Sequence, residues 1–493
     1  MPASVSLLPE SDPELGSGRQ DSLRGAVLAG PGASVTTQVA DGPFAVVACP
    51  AAVKAALRAA GHADKQRGAL TGAVTTVLVV GLCLYCGQGY PDVLTRLWPL
   101  LRCFNPATVM YDPVTSAALS QARARLPARV LKALFEAAAA AAGVAQTTQR
   151  VFGLIVTAVD GTVFDLAATG SIRKRFATPS GGRFPQARVV TLVECATRRI
   201  KGAQVDSCGL SEQRLWDRLV AVMKPGQLNL ADRNFFSMHR WRTAAGTGAH
   251  LIWRVKNGVN CLPATVIDTL PEGSQRVRLR ESPGMLARRR KTSGDLKAAP
   301  LDDILARLVE FTVIVTDQAG RSTVSRFRVL TTLLDHEAYP AMAIAECYAE
   351  RWQVELVYKT IKTTLRGGNR RLRGQSAQLA EQEIWGLLAV YNALVDQAVA
   401  AAVDVGVDPD EISFTAVLRA TRDYLAPTKA CSNCGHHTDR DPGELTAAIL
   451  AGPRNRPERD RTSPRTQNDR QTQHTRNVTY TITIIESNLP IAT

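Results

Sequence analysis

A nearly continuous apolar run of nine residues, 151–159, constrains the fold of this chain more than any other segment. A run of this length that ends at Asp160-Gly161 is typical of a strand buried on both faces in the middle of a sheet. Such strands occur in sheets that helices cover on both sides. The run therefore predicts an α/β domain whose central strand ends at Asp160.

The segments around this run alternate between strand and helix patterns. Two further strands, a helix and a short strand ending at Asp232 follow it, which predicts a mixed sheet flanked by helices. Period-two patterns then return and predict a β-rich insertion, whereas helical patterns broken by Gly and Pro dominate the N-terminal part. The predicted segments are a disordered leader at 1–42, an all-α domain at 43–147, an α/β domain at 148–248 and 336–405, the insertion at 249–335, and a C-terminal region with a basic disordered tail at 406–493.

Charge indicates the kind of partner. The chain carries 59 Lys and Arg residues against 44 Asp and Glu residues, a formal net charge of +15. This excess favours nucleic acid, although free use of Arg in a GC-rich genome would also produce it. The all-α domain at 43–147 is then a natural DNA-binding unit, with a plain helical bundle as the alternative.

Apolar segments and cysteines bear on the compartment. Residues 70–86 are apolar, but Thr and Gly interrupt them and they are short for a membrane span, so they predict a buried helix. The N-terminus lacks the pattern of a secretory signal, and the ten cysteines then indicate reduced thiols in a cytoplasmic protein.

Residues 348–362 contain no Pro or Gly and predict a helix. At about 100° per residue, Tyr348, Arg351, Glu355 and Lys362 share an arc of roughly 60° beside the apolar stripe. A carboxylate flanked by two cations and a phenol suits binding of a metal ion next to a phosphate. An ordinary amphipathic helix with an i,i+4 ion pair gives the same pattern.

Two aspartates complete a candidate carboxylate site with Glu355. Asp160 and Asp232 are each the first acid after a hydrophobic strand, and open α/β sheets bind ligands at the carboxyl ends of strands. Three converging carboxylates need cations to neutralise them, which predicts two Mg²⁺ or Mn²⁺ ions and phosphodiester chemistry. Taken alone, Asp160 is also typical of a turn and Asp232 of a helix N-cap.

Together these residues resemble the DDE transposases of the IS4 family. Asp160 in Val-Asp-Gly-Thr and Asp232 in Leu-Ala-Asp-Arg-Asn-Phe match the contexts of the first two catalytic aspartates. The family's YREK signature is matched at every spacing by Tyr348-x2-Arg351-x3-Glu355-x6-Lys362. The resemblance covers roughly residues 45–400, and the signature combined with both aspartates is far more specific than a lone D…D…E set.

The resemblance implies an RNase H-like catalytic fold and metal-dependent cleavage at transposon ends, followed by strand transfer into target DNA. Asp160, Asp232 and Glu355 would hold the metal ions. The implied partners are the terminal inverted repeats, target DNA and a second copy of the chain in a synaptic complex.

The same resemblance implies DNA contacts outside the three acids. These would come from Tyr348, Arg351 and Lys362 of the signature and from Arg233 beside the second aspartate. In some members an aromatic residue of the insertion stacks on a flipped base. Trp253 is a candidate for that role, with an ordinary core tryptophan as the alternative.

Several alternatives stay open. Cys431, Cys434, His436 and His437 could bind zinc, although their short span also fits a reduced surface loop. A different RNase H-like nuclease such as a resolvase is disfavoured by the YREK spacing and the insertion. A catalytically inactive, transposase-derived DNA-binding protein is the other reading, because lesions outside the motifs would leave them intact.

Overall fold

The computed structural model describes residues 4–6, 50–63, 69–104, 114–140, 150–257, 262–316, 320–368, 371–425, 442–455 and 479–485. Its strands are β1 (Ser4–Ser6), β2 (Arg150–Val151), β3 (Leu154–Asp165), β4 (Gln186–Glu194), β5 (Ile200–Ser207), β6 (Gln227–Ala231), β7 (His250–Arg254), β8 (Ala264–Thr269), β9 (Gln275–Leu279), β10 (Ile304–Thr316), β11 (Ser322–Thr331) and β12 (Thr479–Ile485). Its α-helices are α1 (Pro50–Ala59), α2 (Gly72–Leu84), α3 (Tyr90–Phe104), α4 (Ser116–Arg125), α5 (Ala128–Ala140), α6 (Gly170–Arg175), α7 (Glu212–Leu219), α8 (Met238–Ala245), α9 (Pro283–Ser293), α10 (Ala341–Ala349), α11 (Gln353–Lys359), α12 (Ala377–Val405), α13 (Phe414–Tyr424) and α14 (Pro442–Leu450).

Five strands form the centre of a mixed sheet in the order β7-β6-β3-β4-β5. β6 and β7 run parallel to β3, whereas β4 pairs antiparallel with β3 and with β5. Three antiparallel strands extended by two parallel ones are the arrangement of an RNase H-like core. The predicted fold class, a mixed sheet flanked by helices, is confirmed.

The central strand differs from its predicted limits at both ends. Phe152 and Gly153 adopt left-handed backbone conformations, with φ of 56° and 73°, so a turn separates β2 from β3 within the apolar run. β3 then continues through Asp160 to Asp165, because β4 pairs with it along that whole length. The expectation that the strand ends at Asp160 is therefore wrong.

The sheet extends beyond the RNase H-like core. β11 pairs antiparallel with β7, and β10 pairs with β11 along its length and with β9 and β12 on its other side. β7 lies inside the predicted insertion at 249–335, yet it pairs in parallel with β6 as part of the central sheet. β1, within the predicted disordered leader, pairs with β12, so the predicted disorder does not hold for Ser4–Ser6.

The helices cover the sheet around one long buried helix, α12. It begins at the Ser376 cap and ends at Gly406, which has the left-handed φ of 67° that favours glycine. Within the described part of the chain, α12 is the one helix long and apolar enough to cross a membrane, but most of its apolar window is buried against protein. α2, predicted as a buried helix, is buried at every residue and packs on α12. Both are therefore core helices.

Candidate active site

The parallel pairing of β3 and β6 brings the two aspartates to adjacent positions. Val159 lies opposite Ala231 in the last pair of this ladder, and Asp160 and Asp232 come next in each chain segment. β6 ends there while β3 continues with only β4 beside it, which exposes the β6 side of Asp160. Both carboxylates are partly exposed, with 19% of the Asp160 side chain and 23% of the Asp232 side chain accessible.

Glu355 lies on α11, which packs against β3 and β4. The predicted single helix at 348–362 is wrong in detail, because a 3-10 turn at Glu350–Trp352 separates α10 from α11 and a π-helical segment, Thr360–Leu365, follows. Tyr358, one turn after Glu355, is buried and donates a hydrogen bond of 2.6 Å to the backbone oxygen of Asp160. This bond ties the Glu355 helix directly to the Asp160 strand.

Arg351 connects the first and third acids. Its Nη2 donates a 2.9 Å hydrogen bond to Oε1 of Glu355, and its Nη1 lies 3.6 Å from Oδ2 of Asp160. Only 14% of its side chain is exposed, and burial lowers the pKa of the guanidinium, but the neighbouring Tyr348, Asp160 and Glu355 raise it above its ordinary value. The i,i+4 ion pair between Arg351 and Glu355 that the sequence allowed is present, and Arg351 contacts Asp160 as well.

One cavity of about 400 Å³ has all three predicted acids on its wall. Its lining residues are Asp160, Gly161, Glu212, Asp232, Asn234, Phe235, Glu355 and Tyr358. Glu212, the first residue of α7, adds a fourth carboxylate that its sequence context did not predict. Asn234 holds it, donating a 2.9 Å hydrogen bond from Nδ2 to Oε2 of Glu212. A Cβ at position 161 would lie 2.6 Å from Oε1 of Glu212, so only glycine lets this carboxylate pack against β3.

Burial dominates the titration of Asp160. It raises the pKa of this carboxyl to about 6, although Arg351 and the Gly161 N–H, which donates to Oδ1 at 2.8 Å, both lower it. The neighbouring Glu355 and Glu212 raise it further. The site therefore holds a carboxyl group whose negative charge is not fully compensated by the protein.

The predicted DNA contacts occupy different environments. Tyr348 is buried, and its hydroxyl donates to the backbone oxygen of Ala231 at 3.4 Å. Lys362 donates a 2.6 Å hydrogen bond to Thr162 on β3. Arg233, next to Asp232, is exposed. Tyr348, Arg351 and Lys362 each contact the end of β6 or the outer part of β3, although 3-10 and π segments interrupt the α-helix that carries them.

Trp253 belongs to the core. It is fully buried in a cluster with Trp216 and Trp241, and its Nε1 donates a 3.0 Å hydrogen bond to Oδ1 of Asn229. The candidate role of Trp253 in stacking on a flipped base is therefore wrong for this conformation, and the alternative of a core tryptophan holds.

The donor chemistry of the cavity fits a hard divalent cation. Carboxylate oxygens are the usual ligands of Mg²⁺ and Mn²⁺, and the uncompensated charge of Asp160 favours a cation beside it. In the part of the chain that the structure describes, however, no group of three Asp, Glu, His or Cys side chains is gathered closely enough to hold a metal ion. Cys431, Cys434, His436 and His437 lie outside the described residues.

Comparison with known proteins gives the family. Residues 152–393 match the family model described as a transposase DDE domain, and residues 42–136 match the model of the insertion element 4 transposase N-terminal domain. The transposase InsG for insertion sequence element IS4 of Escherichia coli K12 is 26% identical over 344 residues, which are 68% of this chain and 72% of that protein.

A cryo-EM structure of a piggyBac transposase synaptic complex with hairpin DNA aligns with 86% of this chain and 85% of its own, at 9% identity and a TM-score of 0.43. This likeness is too slight to bear on the fold. The two family models instead cover both the N-terminal helices and the sheet that carries the cavity, and a DDE domain implies use of a divalent metal ion. The chain belongs to the IS4 family of DDE transposases.

Proposed function

We propose that this transposase cleaves phosphodiester bonds at the ends of its insertion sequence and joins the freed ends to target DNA. The observation that carries this proposal is the single cavity lined by Asp160, Asp232 and Glu355. Asp160 and Asp232 each come directly after the last residue pair of the parallel strands β3 and β6. Glu355 lies on a helix that is hydrogen-bonded to β3. Rigid elements thus preorganise all three.

In this proposal Asp160, Asp232 and Glu355 are the metal-binding catalytic residues. When bound, a pair of Mg²⁺ or Mn²⁺ ions would activate the attacking oxygen and stabilise the leaving one. Arg351 partly compensates the charges of Asp160 and Glu355 in the absence of metal ions, and it would turn toward the substrate phosphates once metal ions take over that role. Tyr358 keeps the Glu355 helix at a constant distance from β3.

Arg233 and Lys362 are the proposed direct phosphate contacts, since both carry positive charge near the cavity. Tyr348 has the signature position but a buried hydroxyl, so its contribution as the structure stands is to pack α10 against the end of β6. We propose that the N-terminal helical region at 43–147 binds the terminal inverted repeats. We also propose that two copies of the chain assemble with both transposon ends in the bacterial cytoplasm.

The test uses purified full-length protein and duplex DNA carrying the element's own ends. Wild type should nick these ends only when Mg²⁺ or Mn²⁺ is added. Glu355→Gln, which keeps the side-chain volume and can still accept a hydrogen bond from Arg351, should lose nicking by at least about two orders of magnitude while retaining DNA binding. Asp165→Asn, an exposed acid five residues beyond Asp160 on the same strand, is the matched control and should nick as wild type does.

Two results would contradict the proposal. Binding without nicking by wild type under either metal would favour the catalytically inactive DNA-binding protein. Nicking that survives in Glu355→Gln would remove the third acid from the catalytic set.

A further inference from the structure

A second cavity, of about 470 Å³, adjoins the catalytic one and is basic. We call it the basic cavity. Its lining residues are Ser211, Gln213, Arg214, Arg233, Asn234, Phe236, Arg240 and Lys256. The four cations come from α7, from the loop after β6, from α8 and from the residues after β7, so separate parts of the fold bring them together.

The charge of the basic cavity is largely uncompensated. Arg240 makes a bidentate pair with Asp217, at 2.7 and 3.0 Å. Arg214, Arg233 and Lys256 form no ion pair with any residue that the structure describes. Cations held close together repel one another, and an anionic ligand relieves that repulsion. The basic cavity therefore favours a ligand with repeated negative charge.

The two cavities share a wall. Asn234 lines both cavities. Gln213, which lines the basic cavity, donates a hydrogen bond from Nε2 to Oδ1 of Asn234 at 2.7 Å. Gln213 follows Glu212 in α7, and Arg233 follows Asp232 after β6. On both elements, one residue faces the acidic cavity and the next faces the basic one. A DNA strand that leaves the three acids can therefore pass directly into the basic cavity.

We propose that the basic cavity binds the backbone phosphates of the DNA strand whose scissile phosphate lies against Asp160, Asp232 and Glu355. Arg214 and Lys256 are new phosphate contacts beside Arg233. Phe236, half-buried on the same wall, gives an apolar face for a sugar or a base of that strand. This inference rests on the proposed function and identifies where the cleaved strand runs.

The experiment measures how binding of a DNA duplex bearing the element's end depends on NaCl concentration. Each lost phosphate contact should reduce the slope of log K against log salt by about 0.9. Arg214→Gln and Lys256→Gln should each show such a reduction, and the double variant about twice as much. An unrelated duplex of equal length should show the same reductions, because phosphate contacts do not depend on sequence.

Lys224→Gln is the matched control, since it removes one exposed charge at the opposite end of β6. Its slope should equal that of wild type. Arg214→Lys keeps the positive charge that Arg214→Gln removes, so its slope should equal that of wild type. An unchanged slope in the double variant would overturn the proposal.

Metal-dependent nicking by wild type, measured on the same preparation, separates this inference from the proposed function. Nicking together with an unchanged slope in the double variant would remove the basic cavity alone. Reduced slopes without nicking by wild type would support binding in the cavity and remove the catalytic function.

Discussion

Nη1 of Arg351 lies 3.6 Å from Oδ2 of Asp160, so a buried cation lies beside an incompletely compensated carboxylate on the wall of the three-acid cavity. Burial still raises the pKa of Asp160 to about 6, which means that ionising this group opposes folding. Compared with an aspartate whose pKa does not change on folding, proton binding by Asp160 stabilises the folded state. This stabilisation is fully present below the unfolded-state pKa near 3.9 and is lost as the pH rises through about 6.

Asp160→Asn should therefore stabilise the metal-free protein at about pH 8 by roughly 1–3 kcal/mol, because each unit of pKa corresponds to about 1.4 kcal/mol. The advantage should shrink as the pH falls below about 6 toward 4. Urea unfolding in the presence of a chelator at both ends of this range measures it. Equal stabilisation at both pH values would show that burial of the charge is not the cause.

Local pattern located both aspartates but not their backbone setting. β6 is a short strand that ends next to Asp232, as predicted, because Pro225-Gly226 precedes it and polar residues follow it. The limits of β3 depend on features outside the apolar pattern. One is the left-handed Phe152, and the other is the pairing with β4 that carries the strand past Gly161.

The signature helix and the fourth carboxylate show a second limit. The sequence predicts one regular α-helix at 348–362, but a 3-10 turn and a π segment interrupt it. Glu212 at the start of α7 looks in sequence like an acid that favours a helix N-terminus. Only the packing of α7 against Gly161 and Asn234 brings it to the other acids.

A side chain at position 161 should destabilise the fold while Glu212 keeps its present position. Gly161→Ala would place its Cβ 2.6 Å from Oε1 of Glu212 and 2.8 Å from its Cγ, so Glu212 must move and lose the bond from Asn234. A cost of about 1–3 kcal/mol in the free energy of unfolding is expected, as for other overpacked sites. Chemical denaturation of the full chain measures it.

The double variant Gly161→Ala/Glu212→Ala should recover most of this loss, which a double-mutant cycle quantifies. Gly170→Ala is the control, because no atom lies within 4 Å of the added Cβ there. Additive costs in the cycle would show that Glu212 is not what excludes a side chain at position 161.

Glu310 is the buried anion of the sheet beyond the catalytic core. Its side chain is fully buried and pairs with Arg326 and with Arg328, the latter at 2.8 Å and itself only 5% exposed. Glu310→Gln would leave a buried guanidinium without its counter-charge, so a loss of about 3–5 kcal/mol is expected. Asp268→Asn breaks an exposed pair with Arg276 and should change the stability little. Similar effects of the two substitutions on urea unfolding would contradict this difference.

Arg351 and a divalent cation should compete for the same carboxylates. Without metal, Arg351 is the cation that contacts both Asp160 and Glu355, so Arg351→Gln should destabilise the chelator-treated protein by roughly 1–3 kcal/mol at neutral pH. Adding Mn²⁺ or Mg²⁺ should then stabilise this variant more than wild type, because the ion replaces the lost charge and no longer has to displace a guanidinium. Thermal unfolding with and without the ion gives both shifts.

Arg175→Gln, which removes a partner of Asp206 and Glu381 away from the cavity, should respond to the ion as wild type does. An ion-induced shift in Arg351→Gln no larger than that of wild type would mean that the guanidinium and the metal occupy separate places.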